Sequence, residues 1–204
     1  MLGVLAEKQR SVPDVYPMTL NALLAGCNQK TSRDPVMEVS DTQAQQALDS
    51  LRGMTLVIES SGGRVPRYEH NIERVLQIPT QSTALLAVLM LRGPKTAGEL
   101  RINCDRLHKF ADISAVEGFL RELAERPAGA LVAELARQPG ARENRWTHLL
   151  CGAPAPEPHA AATPAPSRND APGEFAGLKS RVGALEAAVA ELQELVAALR
   201  GQRD

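Results

Sequence analysis

The sequence predicts a mainly α fold with small β-hairpins (α+β), in which two tandem winged-helix domains are followed by a C-terminal coiled-coil helix. Three observations predict it. Helix-spaced apolar stripes followed by a pair of strand-like runs occur twice, over residues 1–78 and 79–150. A Pro/Ala-rich stretch, residues 151–173, carries no apolar periodicity. Beyond it, residues 174–200 repeat apolar side chains at alternating three and four positions, the spacing of a coiled-coil seam.

In the first unit, Leu2, Val4, Leu5 and Ala6 belong to an apolar helix that stops near Lys8-Gln9-Arg10. Pro13 and Pro17 punctuate an extended connector holding Val15 and Tyr16. Met18, Leu20, Leu23, Leu24 and Cys27 then recur at helical spacing, with Pro17 in the first turn and Gly26 and Asn28 loosening the end. Ser40-Asp41-Thr42-Gln43 reads as a capping box, in which the Ser40 hydroxyl accepts from the N–H of residue 43 while Gln43 reaches back. Ala44, Ala47, Leu48 and Leu51 form the buried stripe of that third helix, which Gly53 ends. A β-favouring run over residues 55–59, the turn Ser60-Ser61-Gly62-Gly63 and a return run over residues 64–70 make a hairpin. Three helices and then a hairpin is the winged-helix order.

The second unit repeats it. Ala84, Leu85, Val88, Leu89 and Leu91 form a helix stopped by Gly93-Pro94. Thr96-Ala97-Gly98-Glu99 is a second capping box, opening a helix through Leu100 and Ile102 toward Leu107. Asp112 caps a third helix striped by Val116, Phe119, Leu120 and Leu123. Strands over residues 131–137 and 144–150 flank a Pro139-Gly140 turn. The two hairpins share a small signature, Arg67-Tyr68-Glu69-His70 against Arg145-Trp146-Thr147-His148.

Six prolines and seven alanines among the 23 residues 151–173 supply no packed core, which predicts a flexible or polyproline-like linker. In the tail, Phe175, Leu178, Val182, Leu185, Val189, Leu192, Val196 and Leu199 form an a/d seam. Valine at a and leucine at d favour a parallel homodimer, and Arg181 at g faces Glu186 at e of the partner chain. The alternative is a solitary amphipathic helix packing back on the domains.

Composition excludes several classes. With three Phe, two Tyr and one Trp among 204 residues, the cores must rest on Leu, Val, Ala and Ile. A net charge of −1 sets up no global field, so a nucleic-acid surface would have to be a local patch. Cys27, Cys104 and Cys151 are far apart and show no ligand spacing, which points to unpaired thiols in a reduced, cytoplasmic compartment. No apolar run approaches the roughly 20 residues that span a bilayer, and no signal-type segment opens the chain, so no membrane partner is expected. No Gly-rich phosphate loop is present, and His70, His108, His148 and His159 lack metal-ligand spacing. Cys27 ends a helix among apolar neighbours, the setting of a structural thiol. We expect no enzyme, no metal and no cofactor.

The stretch Ala6-Glu7-Lys8-Gln9, then Pro13, Tyr16-Pro17, Leu20-Asn21 and Cys27-Asn28-Gln29-Lys30 with Arg33-Asp34-Pro35-Val36-Met37 resembles the YceH family of uncharacterised bacterial proteins. Leu91-Arg92-Gly93, Thr96-Ala97-Gly98-Glu99-Leu100-Arg101 and Arg137-Gln138-Pro139-Gly140 with Arg142-Glu143 extend the resemblance over residues 2–150. It implies a tandem winged-helix fold and a bacterial cytosolic protein, without an activity. It also implies about ten more residues ahead of the position of Leu2, nearly three helical turns, so the first helix is expected to be a shortened one.

Cations gather on loops and hairpins. Asn28, Gln29, Lys30 and Arg33 lie between the second and third helices, Arg64 and Arg67 in the first hairpin, and Arg137, Arg142 and Arg145 in the second, with Glu143 beside them in its turn. The third helices are acidic: Asp41 and Asp49 stand against Arg52, and Asp112, Glu117, Glu122 and Glu125 against Arg121 and Arg126. Carboxylates oppose phosphate contacts, which works against entry of these helices into a major groove. Two functions stay open. In a DNA-binding transcriptional regulator, the hairpin arginines would grip phosphates of double-stranded DNA while Gln45 and Gln46 reach base edges. In a protein–protein interaction adaptor, Arg33 would recognise a carboxylate or phosphate of an unidentified protein bidentately. Plainer alternatives are arginines that are solvated or paired with helix carboxylates, and loop side chains that cap the flanking helices and hold Pro35-Val36-Met37 against the core.

Overall fold

Thr19, Ser40, Thr96 and Asp112 set where four of the helices begin. The free N–H groups of Ala22, Gln43, Glu99 and Ala115 donate to their side-chain oxygens at 3.3, 3.3, 3.2 and 2.7 Å respectively, satisfying donors that helix geometry leaves over. Both capping boxes close, with the Ser40 N–H donating to Gln43 Oε1 at 2.9 Å and the Thr96 N–H to Glu99 Oε2 at 2.8 Å.

The computed structural model describes residues 1–60, 62–138 and 140–152. In order these form α1 (Leu2–Ser11), a 3-10 turn (Pro13–Val15), β1 (Met18–Thr19), α2 (Leu20–Cys27), α3 (Asp41–Gly53), β2 (Val57–Ser60), β3 (Arg67–His70), α4 (Ile72–Leu76), α5 (Thr80–Arg92), α6 (Ala97–Asn103), α7 (Ile113–Ala124), β4 (Val132–Glu134) and β5 (Trp146–His148). The fold is α+β, with seven α-helices and two small antiparallel sheets among the described residues. The seam from Phe175 to Leu199 and all but the first two residues of the 151–173 linker lie outside them.

Three sequence expectations need correction. Met18 is not helical and Pro17 does not open α2. Met18–Thr19 pairs with β3, Met18 opposite Tyr68 and Thr19 opposite Arg67, and the helix waits for the Thr19 cap. The strands are also shorter than expected. Thr55 adopts φ 61° as the chain leaves α3, a left-handed conformation incompatible with a strand, so β2 starts only at Val57. Arg64 falls in the connecting turn. Finally, α4 was not anticipated, because its five residues are too few to display a helical period.

The same order of sheet contacts occurs twice. The first sheet runs β1–β3–β2. In the second, β4 pairs with β5, and Lys95 takes the place of β1, exchanging hydrogen bonds with Trp146 at 3.1 and 2.8 Å. In each case the edge residue leads directly into a threonine-capped helix.

The core of the described residues is centred on α5. Every residue from Ser82 to Leu89 is buried, as expected of a helix enclosed on all sides. One apolar cluster runs from Leu2 and Leu5 through Leu48, Leu85 and Leu89 to Leu120 and Trp146, and all the described residues fall in one compact unit. A Cβ placed on Gly3 would stand 3.1 Å from Met90 Cβ, a measure of how closely α1 approaches α5. Arg126, beyond the end of α7, donates to the Leu76 carbonyl at the end of α4. No helix among the described residues is long and apolar enough to cross a membrane.

Candidate functional site

The loop between α2 and α3 is fastened at its two ends by one amide. Asn28 Nδ2 donates to the Val39 carbonyl at 2.9 Å, and the Val39 N–H donates to Asn28 Oδ1 at 2.7 Å. Gln29 Nε2 donates to the Thr31 carbonyl at 2.7 Å, and Lys8 Nζ to Gln29 Oε1 at 3.3 Å. Beyond the loop's middle, the Asp34 N–H donates to the Leu91 carbonyl at 2.9 Å, and the Asp34 carboxylate lies 3.6 Å from Lys95 Nζ.

Arg33 points inward. Nη2 donates to Glu7 Oε2 at 2.7 Å and Nη1 to Glu7 Oε1 at 3.2 Å. Nε and Nη2 both donate to the Gly26 carbonyl, at 3.1 and 2.8 Å, and Nη1 to the Ser32 carbonyl at 2.8 Å. These contacts commit all five guanidinium N–H groups, and the side chain is 4% exposed. Arg33 is thus a fastener, with its fork occupied by Glu7. Lys30 faces solvent. Val36 and Met37, which the plainer alternative held against the core, are instead 54% and 53% exposed; Val39 packs in their place.

Two of the three thiols are structural in setting, and Cys151 is exposed. Cys27 is buried, with Sγ 3.0 Å from Met1 Sδ. Cys104 is buried beneath α5, and burial pushes its pKa up to about 12, far from thiolate chemistry.

On α3, Gln45 Nε2 donates to Asp49 Oδ1 at 3.0 Å, whereas Gln46 is exposed. Arg52 spans Glu59 at 2.9 Å and Asp49 at 3.5 Å. In the first hairpin Arg64 is exposed, while Arg67 Nη1 donates to the Pro17 carbonyl at 2.8 Å and so ties β3 to the segment before β1. In the second hairpin Arg142 and Arg145 line one hollow of about 210 Å³ with Gln138 and Glu143. Arg137 is exposed beside it in sequence.

Sequence reasoning missed a second grouping. Lys8, Arg10, Arg92 and Arg106 meet Gln29, Thr31 and Ser32 around a cleft of about 750 Å³. No local motif signals it, because its cations come from α1, α5 and the segment after α6.

Short capped helices, two small antiparallel sheets and an inward-fastened polar loop place the described residues in the class of small helical α+β proteins. A family model described as "protein of unknown function, DUF480" matches residues 1–141, and the chain belongs to that family, the one to which the YceH resemblance pointed. The chain is 59% identical over 197 residues to a UPF0502 protein of Dechloromonas aromatica (strain RCB), covering 96% of this chain and 91% of that one. It is 58% identical over 196 residues to a UPF0502 protein of Burkholderia multivorans, covering 96% and 83%. A UPF0502 protein of Cupriavidus necator is 55% identical over 204 residues, covering 99% and 84%.

Proposed function

We propose that this chain is a cytoplasmic, non-catalytic, tandem winged-helix protein that acts as a dimer and grips double-stranded DNA through the arginines of its second hairpin. The observation that carries the reading is the placement of Arg142 and Arg145 around one hollow of that hairpin, with exposed Arg137 on the same hairpin. The repeated order of edge residue, threonine-capped helix, second capped helix and hairpin supports the tandem arrangement. The helices that would enter a groove carry carboxylates, and Arg52 is already engaged by Glu59 and Asp49, so the grip is on phosphates and led by the wing.

Fluorescence anisotropy with duplex fragments, titrated with salt, tests it. Arg142→Ala/Arg145→Ala should weaken binding and reduce the slope of log affinity against log salt by about 2. Absence of any binding by the parent chain at low salt would reject the reading.

A second reading, a protein-interaction adaptor, is favoured by the exposed carboxylates of Glu122 in the last turn of α7 and Glu125 just past its end. It requires a basic partner that co-purifies with the chain and is lost on Glu122→Lys/Glu125→Lys. Retention of the same partner by that variant would remove α7 from consideration.

A further inference from the structure

The cleft between α1, the α2–α3 loop, the end of α5 and the segment after α6 has no part in the duplex reading. At about 750 Å³ it falls within the roughly 300–1,000 Å³ usual for small-molecule sites. Four cationic side chains line it: Lys8 and Arg10 from α1, Arg92 from the end of α5, and Arg106 beyond α6. The one carboxylate in the lining, Glu7, has both oxygens held by Arg33, at 2.7 and 3.2 Å. That contact discharges Glu7 from outside the lining and leaves the cleft with surplus positive charge. The cations are only loosely compensated elsewhere. Arg10 reaches Glu73 at 4.0 Å, the outer limit of an ion pair, and Lys8 lies 3.8 Å from the already engaged Glu7. Lys8 is 21% exposed, so its ammonium sits in a recess and not on a convex surface.

The remaining lining fits an anion with several oxygens. Thr31 and Ser32 bring hydroxyls from the loop, and Ser32 holds φ 60°, a conformation uncommon for a residue with a side chain. Val88 and Leu91 of α5 add an apolar patch. Guanidinium forks and hydroxyls both donate to phosphate oxygens. A single carboxylate would leave most of the four cations without a counter-charge.

We infer that this cleft binds a small molecule carrying a di- or triphosphate. The assignment does not depend on duplex binding by the second hairpin.

Isothermal titration calorimetry of the full chain with ATP, and separately with sodium tripolyphosphate, tests the inference. The comparison variant is Arg10→Glu/Arg106→Glu, since both positions are exposed; circular dichroism checks that it folds. The parent chain should bind at least one of the two probes, and the variant should bind it at least roughly tenfold more weakly. Tighter binding of ATP assigns the apolar patch to a nucleoside, and equal binding assigns the cleft to inorganic polyphosphate. If the double variant does not fold, Arg106→Gln alone should still weaken binding severalfold. The inference is overturned by absence of heat from the parent chain at millimolar ATP and tripolyphosphate. Unchanged affinity in the folded variant, or loss of binding in Arg142→Ala/Arg145→Ala, would overturn it equally.

Discussion

Arg33 and Glu7 meet through both arms of the guanidinium, at 2.7 and 3.2 Å, with side chains 4% and 16% exposed. The pair joins the α2–α3 loop to α1, and the same guanidinium closes on the Gly26 carbonyl at the end of α2. Three segments therefore share one cation. A charge pair this sheltered gains little over a well-packed apolar substitute, but removal of one partner strands the other.

Arg33→Met should accordingly lower unfolding free energy by about 3 kcal/mol, the range for breaking a buried pair from one side. Arg33→Lys should recover only part of this, since one ammonium cannot make two parallel bonds to the carboxylate. In Glu7→Gln/Arg33→Met the loss should be smaller than the sum of the two single losses. Strict additivity in urea denaturation would show that the two side chains are not coupled.

Gly26 and Gly118 are both helical, and alanine at each should act in opposite directions. A Cβ at Gly26 would lie 2.6 Å from Val4 Cγ1, whose residue is 1% exposed, whereas a Cβ at Gly118 meets nothing within 4 Å. Gly26→Ala must push α1 from α2, at a cost of about 1–3 kcal/mol. Gly118→Ala should stabilise by roughly 0.5–1 kcal/mol through helix propensity. Thermal melts of the two variants against the parent chain would reveal the sign of each.

The helix starts at Ser40, Thr96 and Asp112 were legible because a cap needs particular residue types at a fixed spacing, and that requirement is local. β1 was not legible: Met18 is extended because Tyr68 lies opposite it, and nothing near Met18 encodes that partner. The polar loop could be read as a concentration of chemistry, but the direction of Arg33 could not, since Glu7 belongs to a different helix. Lys8 and Arg106 escaped notice for the same reason. Their common cleft exists only once α1 and the segment after α6 are both packed on α5. The hairpin cations were visible in the chain, whereas the diversion of Arg67 to the Pro17 carbonyl depended on a strand that sequence spacing had hidden.

The dimer expectation rests on valine at 182, 189 and 196 alternating with leucine at 178, 185, 192 and 199, positions outside the described residues. Sedimentation equilibrium of the full chain against a version ending at Leu150 should show the mass per particle falling by more than half. Monomers in both cases, at a chain concentration on the order of tens of micromolar, would exclude the parallel pair.

His70 makes stability depend on pH. It is 9% exposed, its Nε2 lies 2.8 Å from Gln9 Oε1, and its buried Nδ1 has no hydrogen-bond partner among the described residues. Because Gln9 Oε1 can only accept, Nε2 carries the proton in the neutral ring, and a second proton on Nδ1 would be charged and unpartnered. Burial first, and the nearby Arg10 charge second, lower its pKa from 6.5 to about 4. Above pH 6.5 the ring is neutral in both folded and unfolded chains, so it adds no pH dependence. Between pH 6.5 and about 4 the unfolded chain takes up a proton that the folded chain refuses, so stability falls as pH falls. Below that window the loss levels off, at on the order of 3 kcal/mol. His148, also lowered by burial, adds in the same direction. Urea midpoints of the parent chain should therefore drop more steeply from pH 7.5 to pH 5 than those of His70→Gln, which keeps a polar side chain without the titration. Parallel pH profiles for the two proteins would show that His70 is not the group responsible.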